Sequence, residues 1–226
     1  WWMVGRVADL GSNDDRLWWS RSADPSNPSS WSPPVFVAQS SGATARSRLR
    51  PAVTFDPVRN RMVIVWVVNP TGRLRASTID INTAGGTANA WENAQELGTE
   101  VAMGPPSIAC VDASLRCQLV YQSGTNATRS LGFFQVSVNA ASISRDSEQI
   151  SGWSDFGPSL IGPQGPFSNL FVVTMRGTDS VGTFWRRTRT VGASAWGTWQ
   201  QLGFAKSTGV GPVLTVGPDL RYRIIH

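Results

Sequence analysis

Two punctuation marks alternate along this chain and constrain its fold more than any other feature. A proline opens an extended apolar stretch at Pro51-Ala-Val-Thr-Phe, Pro106-Ser-Ile-Ala-Cys, Pro166-Phe-Ser-Asn-Leu and Pro212-Val-Leu-Thr-Val. Between them a small residue precedes tryptophan, at Ser30-Trp31, Ala90-Trp91, Gly152-Trp153 and Ala195-Trp196. Successive prolines lie 55, 60 and 46 residues apart, close to the ~40–50 residues of one propeller blade.

Four strands can be read within a unit. In the unit opening at Pro51 they are Pro51–Phe55, Arg61–Val68, Arg73–Ile81 and a stretch from Trp91, separated by turn residues at Asp56–Asn60 and Asn69–Gly72. The next units repeat the order: Ser107–Val111, Cys117–Gln122, Ser130–Val138 and Trp153 onward, then Leu170–Arg176, Thr183–Arg189 and Trp196–Leu202. The run from Met62 to Val68 has no polar side, which suits a strand covered on both faces. The expected fold is all-β: a β-propeller of four-stranded antiparallel blades, with about four and a half blades present. A single domain is expected over residues 1–226, with blade units near 1–45, 46–103, 104–163, 164–207 and a partial unit at 208–226. The first unit lacks an inner strand and the last supplies two strands. Together with the opening Trp1, this reads as an excised or mature piece of a six- or seven-bladed ring; a closed five-bladed ring is the alternative.

Composition agrees. Glu occurs four times and Lys once, so strong surface helix formers are scarce, whereas eleven Trp and nine Phe suit pleated, half-buried surfaces. No run of about 20 apolar residues exists, so no helical membrane span is expected. The net charge of +5 comes almost wholly from nineteen arginines. Their scatter argues against a nucleic-acid groove. Only Arg46, Arg48 and Arg50, and Arg186, Arg187 and Arg189, are locally dense, and strand alternation predicts a small basic patch from each set.

The two cysteines flank a short hairpin. With Ala113 and Ser114 as its turn, Cys110 falls opposite Cys117 at a separation a disulfide can bridge. That pairing implies an oxidising compartment, hence an extracellular, periplasmic or otherwise secreted location. Asn126-Ala127-Thr128 matches a glycosylation acceptor.

Leu170-Phe-Val-Val-Thr-Met-Arg-Gly-Thr-Asp followed by Phe184-Trp-Arg-Arg and Ala195-Trp-Gly-Thr-Trp-Gln-Gln-Leu-Gly203 resembles a blade of the bacterial seven-bladed β-propeller lectins. Pro212 to His226 resembles the opening of a further blade. The resemblance implies sugar pockets between blades, with Trp185, Arg186, Trp196 and Trp199 as candidates and Trp18 and Trp19 by repeat equivalence. Trp196, like Trp31, has the recurring position expected of core, so the ligand-binding set is Trp18, Trp19, Trp185, Arg186 and Trp199. A weaker resemblance links Ser22-Ala-Asp24-Pro-Ser-Asn-Pro-Ser-Ser-Trp31 to the Asp-box of sialidase propellers, which there is a structural turn.

Catalytic chemistry is hard to find. The one histidine is His226, so no Ser-His-Asp or Cys-His set and no His/Cys metal site can form within the chain. Asp56, Asp112 and Asp219 recur at turns, and Asn13-Asp14-Asp15 reads as a solvated loop. No catalytic residue, metal or cofactor is therefore expected. The expected function is a secreted, non-catalytic, lectin-like module binding a glycan or acidic polysaccharide. A structural or accessory propeller, docking protein partners or attached to a secreted enzyme, is the alternative, and a sialidase-like glycoside hydrolase is the least favoured reading.

Overall fold

The computed structural model describes residues 1–7, 15–38, 43–110, 116–124, 129–138, 143–146, 149–164, 168–178, 182–202, 211–217, 219 and 221–225. Asn13, Asp14, Asp112, the turn at Ala113 and Ser114, the glycosylation triplet, Pro166 and His226 lie outside them. The described chain is all-β, with one short 3-10 turn at Pro28–Ser30 and no α-helix among the described residues.

The strands form five antiparallel sheets in chain order. The first holds β1 (Trp2–Val7), β2 (Asp15–Arg21), β3 (Val35–Phe36) and β4 (Arg46–Ser47), with β3 and β4 following one another along one edge of β2. The second is β5 (Ala52–Asp56), β6 (Arg61–Val67), β7 (Arg73–Asp80) and β8 (Glu92–Val101). The third is β9 (Ser107–Ala109), β10 (Cys117–Ser123) and β11 (Ser130–Val138), with β12 (Ile143–Arg145) and β13 (Gln149–Trp153) both paired to β11. The fourth is β14 (Ser159–Ile161), β15 (Leu170–Arg176), β16 (Phe184–Thr190) and β17 (Gln200–Gln201), and the fifth is β18 (Val213–Val216) and β19 (Tyr222–Ile225). The first strands of sheets two to five touch in sequence, β5 to β9, β9 to β14 and β14 to β18. Sheets joined in this way along their inner strands surround a common axis, and the molecule is a β-propeller whose sheets are its blades.

Period-2 alternation explains how one strand serves two neighbours. Every residue of β6 is buried. Its Val63, Val65 and Val67 pack against Leu119, Tyr121 and Phe134 of blade 3, while Met62, Ile64 and Trp66 join Leu17 and Trp19 of blade 1. Blade 3 repeats the device, with Leu119 and Tyr121 facing blade 2 and Val120 facing Phe171, Val173 and Met175 of blade 4. At the axis the seams are polar. Ser107 Oγ accepts from the Leu160 amide at 3.0 Å, and Ser159 Oγ accepts from the Leu214 amide at 2.9 Å. The serines that follow Pro106 and Pro158 thus each satisfy a backbone donor of the next blade. The Cys110–Cys117 disulfide forms, one register step beyond Ala109 opposite Gln118.

The structure moves the third proline mark. β14 opens after Pro158, so the entry prolines are Pro51, Pro106, Pro158 and Pro212, spaced by 55, 52 and 54 residues. A unit boundary at 163/164 therefore cuts β14 away from its own sheet. A three-residue strand carries no readable periodicity, whereas Leu170–Arg176 beside Pro166 does. The tryptophan mark is also uneven: Trp91 and Trp196 precede their outer strands and are buried, but Trp153 ends β13 and is 58% exposed.

Candidate functional site

In each complete blade the chain enters the inner strand at one end of the propeller and returns to that end between the second and third strands. The connection Trp153–Pro158 and the β15–β16 ends at Gly177 and Thr183 therefore lie at the same end, from adjacent blades. Between them is a cleft of about 380 Å³ lined by Trp153, Met175, Gly177, Thr178, Trp185 and Trp199. Two glycines permit it. A Cβ on Gly177 would sit 3.0 Å from Trp185 Nε1, and one on Gly152 would sit 3.0 Å from Trp199 Nε1 and 3.1 Å from Met175 Cε. Gly152 also has φ +75°, in the left-handed region that side chains resist.

The rings are held from behind. Trp185 and Trp199 are half-buried against the core between blades 3 and 4, above Trp196, whose ring lies 5.1 Å from that of Phe133. The Arg187 guanidinium lies 5.6 Å from the Trp199 ring centre and donates to the carbonyls of Trp196 (3.3 Å) and Gly197. Burial pulls its pKa below the usual arginine value. The arrangement offers indole faces and edges, a thioether and the Thr178 hydroxyl, a surface that suits the CH faces of a sugar ring.

The structure brings together only part of the candidate set. Trp185 and Trp199 share the cleft; Arg186 lies on the opposite face of β16, bonded to Gln200 at 3.0 Å and lining a different cleft, between blades 4 and 5. Trp19 is corrected to core: it is fully buried, stacked on Trp2 at 5.1 Å and edge-on to Trp91 at 6.3 Å, and no ligand reaches it. Trp18 occupies the face of β2 that matches Trp185. That face is open, with Met3 44% and Val7 41% exposed beside it, so Trp18 lacks the wall that blade 3 supplies to Trp185. Trp153, Met175 and Thr178 are the missed residues. Trp153 was legible only as a repeat mark, because its exposure depends on its place at a strand end.

Two of the dense arginines are tied into the fold. Arg189 is buried, bonded to Gln118 Oε1 at 2.9 Å and to the Ala193 carbonyl at 2.6 and 2.9 Å, so it ties blade 4 to blade 3. Burial lowers its pKa, against the opposing pull of Asp146. Arg48 donates to the Ala102 carbonyl at 3.2 Å. Carboxylates are committed as well. Those of Asp15, Asp56, Glu92, Glu96, Glu100, Asp146, Asp155 and Asp219 each pair with arginine at 2.6 to 3.8 Å. Asp80 accepts from the Asn82 amide at 2.8 Å, and Asp24 accepts from Ser26, bonds that hold its pKa below the ordinary value. The Asp56 carboxylate lies near Cys110 and Cys117, but those sulfurs are joined to each other.

No protein-family model matches this sequence, and no curated protein matches it. Solved structures do. An exo-β-1,3-galactanase from Phanerochaete chrysosporium in complex with β-1,3-galactotriose aligns at 11% identity and TM-score 0.46, over 89% of this chain and 50% of that one. An exo-β-1,3-galactanase from Clostridium thermocellum aligns at 12% and 0.46, over 93% and 50%. An α-L-arabinofuranosidase from Podospora anserina in complex with cellotriose aligns at 15% and 0.48, over 89% and 63%. The chain spans about half the length of the two galactanase chains. The expectation of a non-catalytic, lectin-like module stands against this finding, since the similar structures are of a galactanase and an arabinofuranosidase. Part of the motif behind the lectin resemblance is blade packing: Trp196 is buried core.

Proposed function

We propose that this chain is the propeller part of a glycan-hydrolysing enzyme and that the three-tryptophan cleft holds a sugar ring of its substrate. The observation that carries this reading is the cleft itself: Trp153, Trp185 and Trp199 converge from two blades on a space of about 380 Å³. Tryptophan faces contribute on the order of 1 kcal/mol beyond burial when a flat apolar face stacks on them. The described carboxylates pair with arginines or accept from turn amides. Bond cleavage in such an enzyme needs two carboxylates about 5–9 Å apart. The disulfide supports action in an oxidising, extracytoplasmic compartment.

The test is reducing-sugar release from a panel of neutral plant and fungal polysaccharides, with calorimetric titration of oligosaccharides. Trp185→Ala and Trp199→Ala are expected to weaken oligosaccharide binding by about tenfold without loss of folded signal. Absence of both hydrolysis and oligosaccharide binding by the unaltered protein overturns the reading.

A further inference from the structure

The connection Trp153–Pro158 joins two recesses. Trp153 walls the tryptophan cleft, and Phe156, Gly157 and Pro158 line a second recess, also of about 380 Å³. The rest of that second lining comes mostly from the entries to other inner strands: Arg50 before β5, Pro105 before β9, and Pro212 before β18. This recess is therefore the mouth of the axis, on the same end of the propeller as the cleft.

The collar is apolar apart from Arg50. Neighbouring arginines are committed: Arg48 to the Ala102 carbonyl at 3.2 Å, and Arg129 and Arg176 to Asp155 at 3.6 and 3.8 Å. Arg176 also lies 4.9 Å from the Phe156 ring centre. Arg50 is exposed, and its side chain has no hydrogen bond or ion pair with the described residues. A guanidinium facing an apolar wall with its fork of donors unused is suited to a planar carboxylate, which it binds through two parallel hydrogen bonds.

We infer that Arg50 forms a carboxylate-recognising subsite at the axial mouth, and that the substrate class is an acidic glycan carrying a uronate residue. The inference rests on the reading that the tryptophan cleft holds a sugar ring; the chain then runs inward along Trp153–Pro158, and its acidic unit meets Arg50.

Calorimetric titration of the 226-residue protein with two oligosaccharides of one backbone, one neutral and one bearing a single uronate, tests it. The uronate form is expected to bind about tenfold more tightly at low salt, with the advantage shrinking as ionic strength rises. Arg50→Gln is expected to remove that advantage and leave the neutral affinity unchanged. Arg221→Gln, an equal charge change at the turn between β18 and β19 on the opposite end, is expected to leave both affinities unchanged. Equal affinity for the two sugars, or an advantage that survives Arg50→Gln, overturns the subsite while the cleft stands. Failure of both sugars to bind overturns the cleft and the subsite together.

Discussion

Blades 2 and 3 meet differently from blades 4 and 5, although both junctions begin with the same device, an entry proline and touching inner strands. Between blades 2 and 3, Val63, Val65 and Val67 face Leu119, Tyr121 and Phe134 in a closed core, with Ile143 of the outer β12 sealing its far side. Between blades 4 and 5, Val172 and Thr174 face Leu214, Tyr222 and Ile224 across a cleft of about 630 Å³. The inner halves of the two junctions are alike. Among the described residues blade 5 has only two strands, so no third or fourth strand covers Arg186 and Leu202. A blade interface is closed by its outer strands; the axis alone sets only the orientation.

The largest expected effect breaks the closed side. Phe134→Ala removes a side chain that is 1% exposed, stacked on Tyr121 at 5.5 Å and covered by the Arg145 guanidinium at 4.2 Å. It is expected to cost about 3–5 kcal/mol in denaturant unfolding, and a loss below about 1 kcal/mol would refute the closed packing. Removing the Cys110–Cys117 tie by paired serine substitution should cost about 2 kcal/mol, near the low end because the loop is short. An equal midpoint under reducing and oxidising conditions would show that the bond contributes nothing.

On the open side, Leu214→Ala is expected to cost about 1 kcal/mol, less than the usual core value because Leu214 borders the cleft between blades 4 and 5. A cost as large as that of Phe134→Ala would mean the cleft is filled in solution. The smallest effect is on titration. Burial raises the Tyr222 pKa above 10.0, so the folded chain holds that proton where the unfolded chain has lost it. Stability is unaffected by this group below pH 10.0 and falls as pH rises through the folded value. Phenolate absorbance of Tyr222, isolated by a Tyr121→Phe background, checks this; titration at or below 10.0 would mean an open, hydrated ring.

Much of the fold was legible in advance. The second and third strands of the complete blades were found within a residue or two, because their β-branched and aromatic runs are long and bounded by turn residues. Short inner strands were harder. Pro158-Ser-Leu-Ile gives way to Pro166 in the sequence, since three residues hold no pattern and Pro166 stands next to a conspicuous strand. The site was half legible: Trp185 and Trp199 belong to the cleft, Arg186 faces away, and Trp153 was hidden by its likeness to the buried Trp91 and Trp196.

Trp18 and Trp19 show where the division falls. Alternation alone dictates that adjacent strand residues point to opposite faces, so one sequence can state that the two rings part. Which face is core depends on which neighbour supplies a wall. Blade 2 covers Trp19 completely, and the face of Trp18 stays open. Local chemistry determined the repeat, the strands, the turns and the disulfide, because these depend on residues near one another in the chain. The aromatic cleft, the buried Arg189 and the exposed Arg50 at the axial mouth were decided by tertiary structure, because burial and partnership are set by residues brought together from different blades.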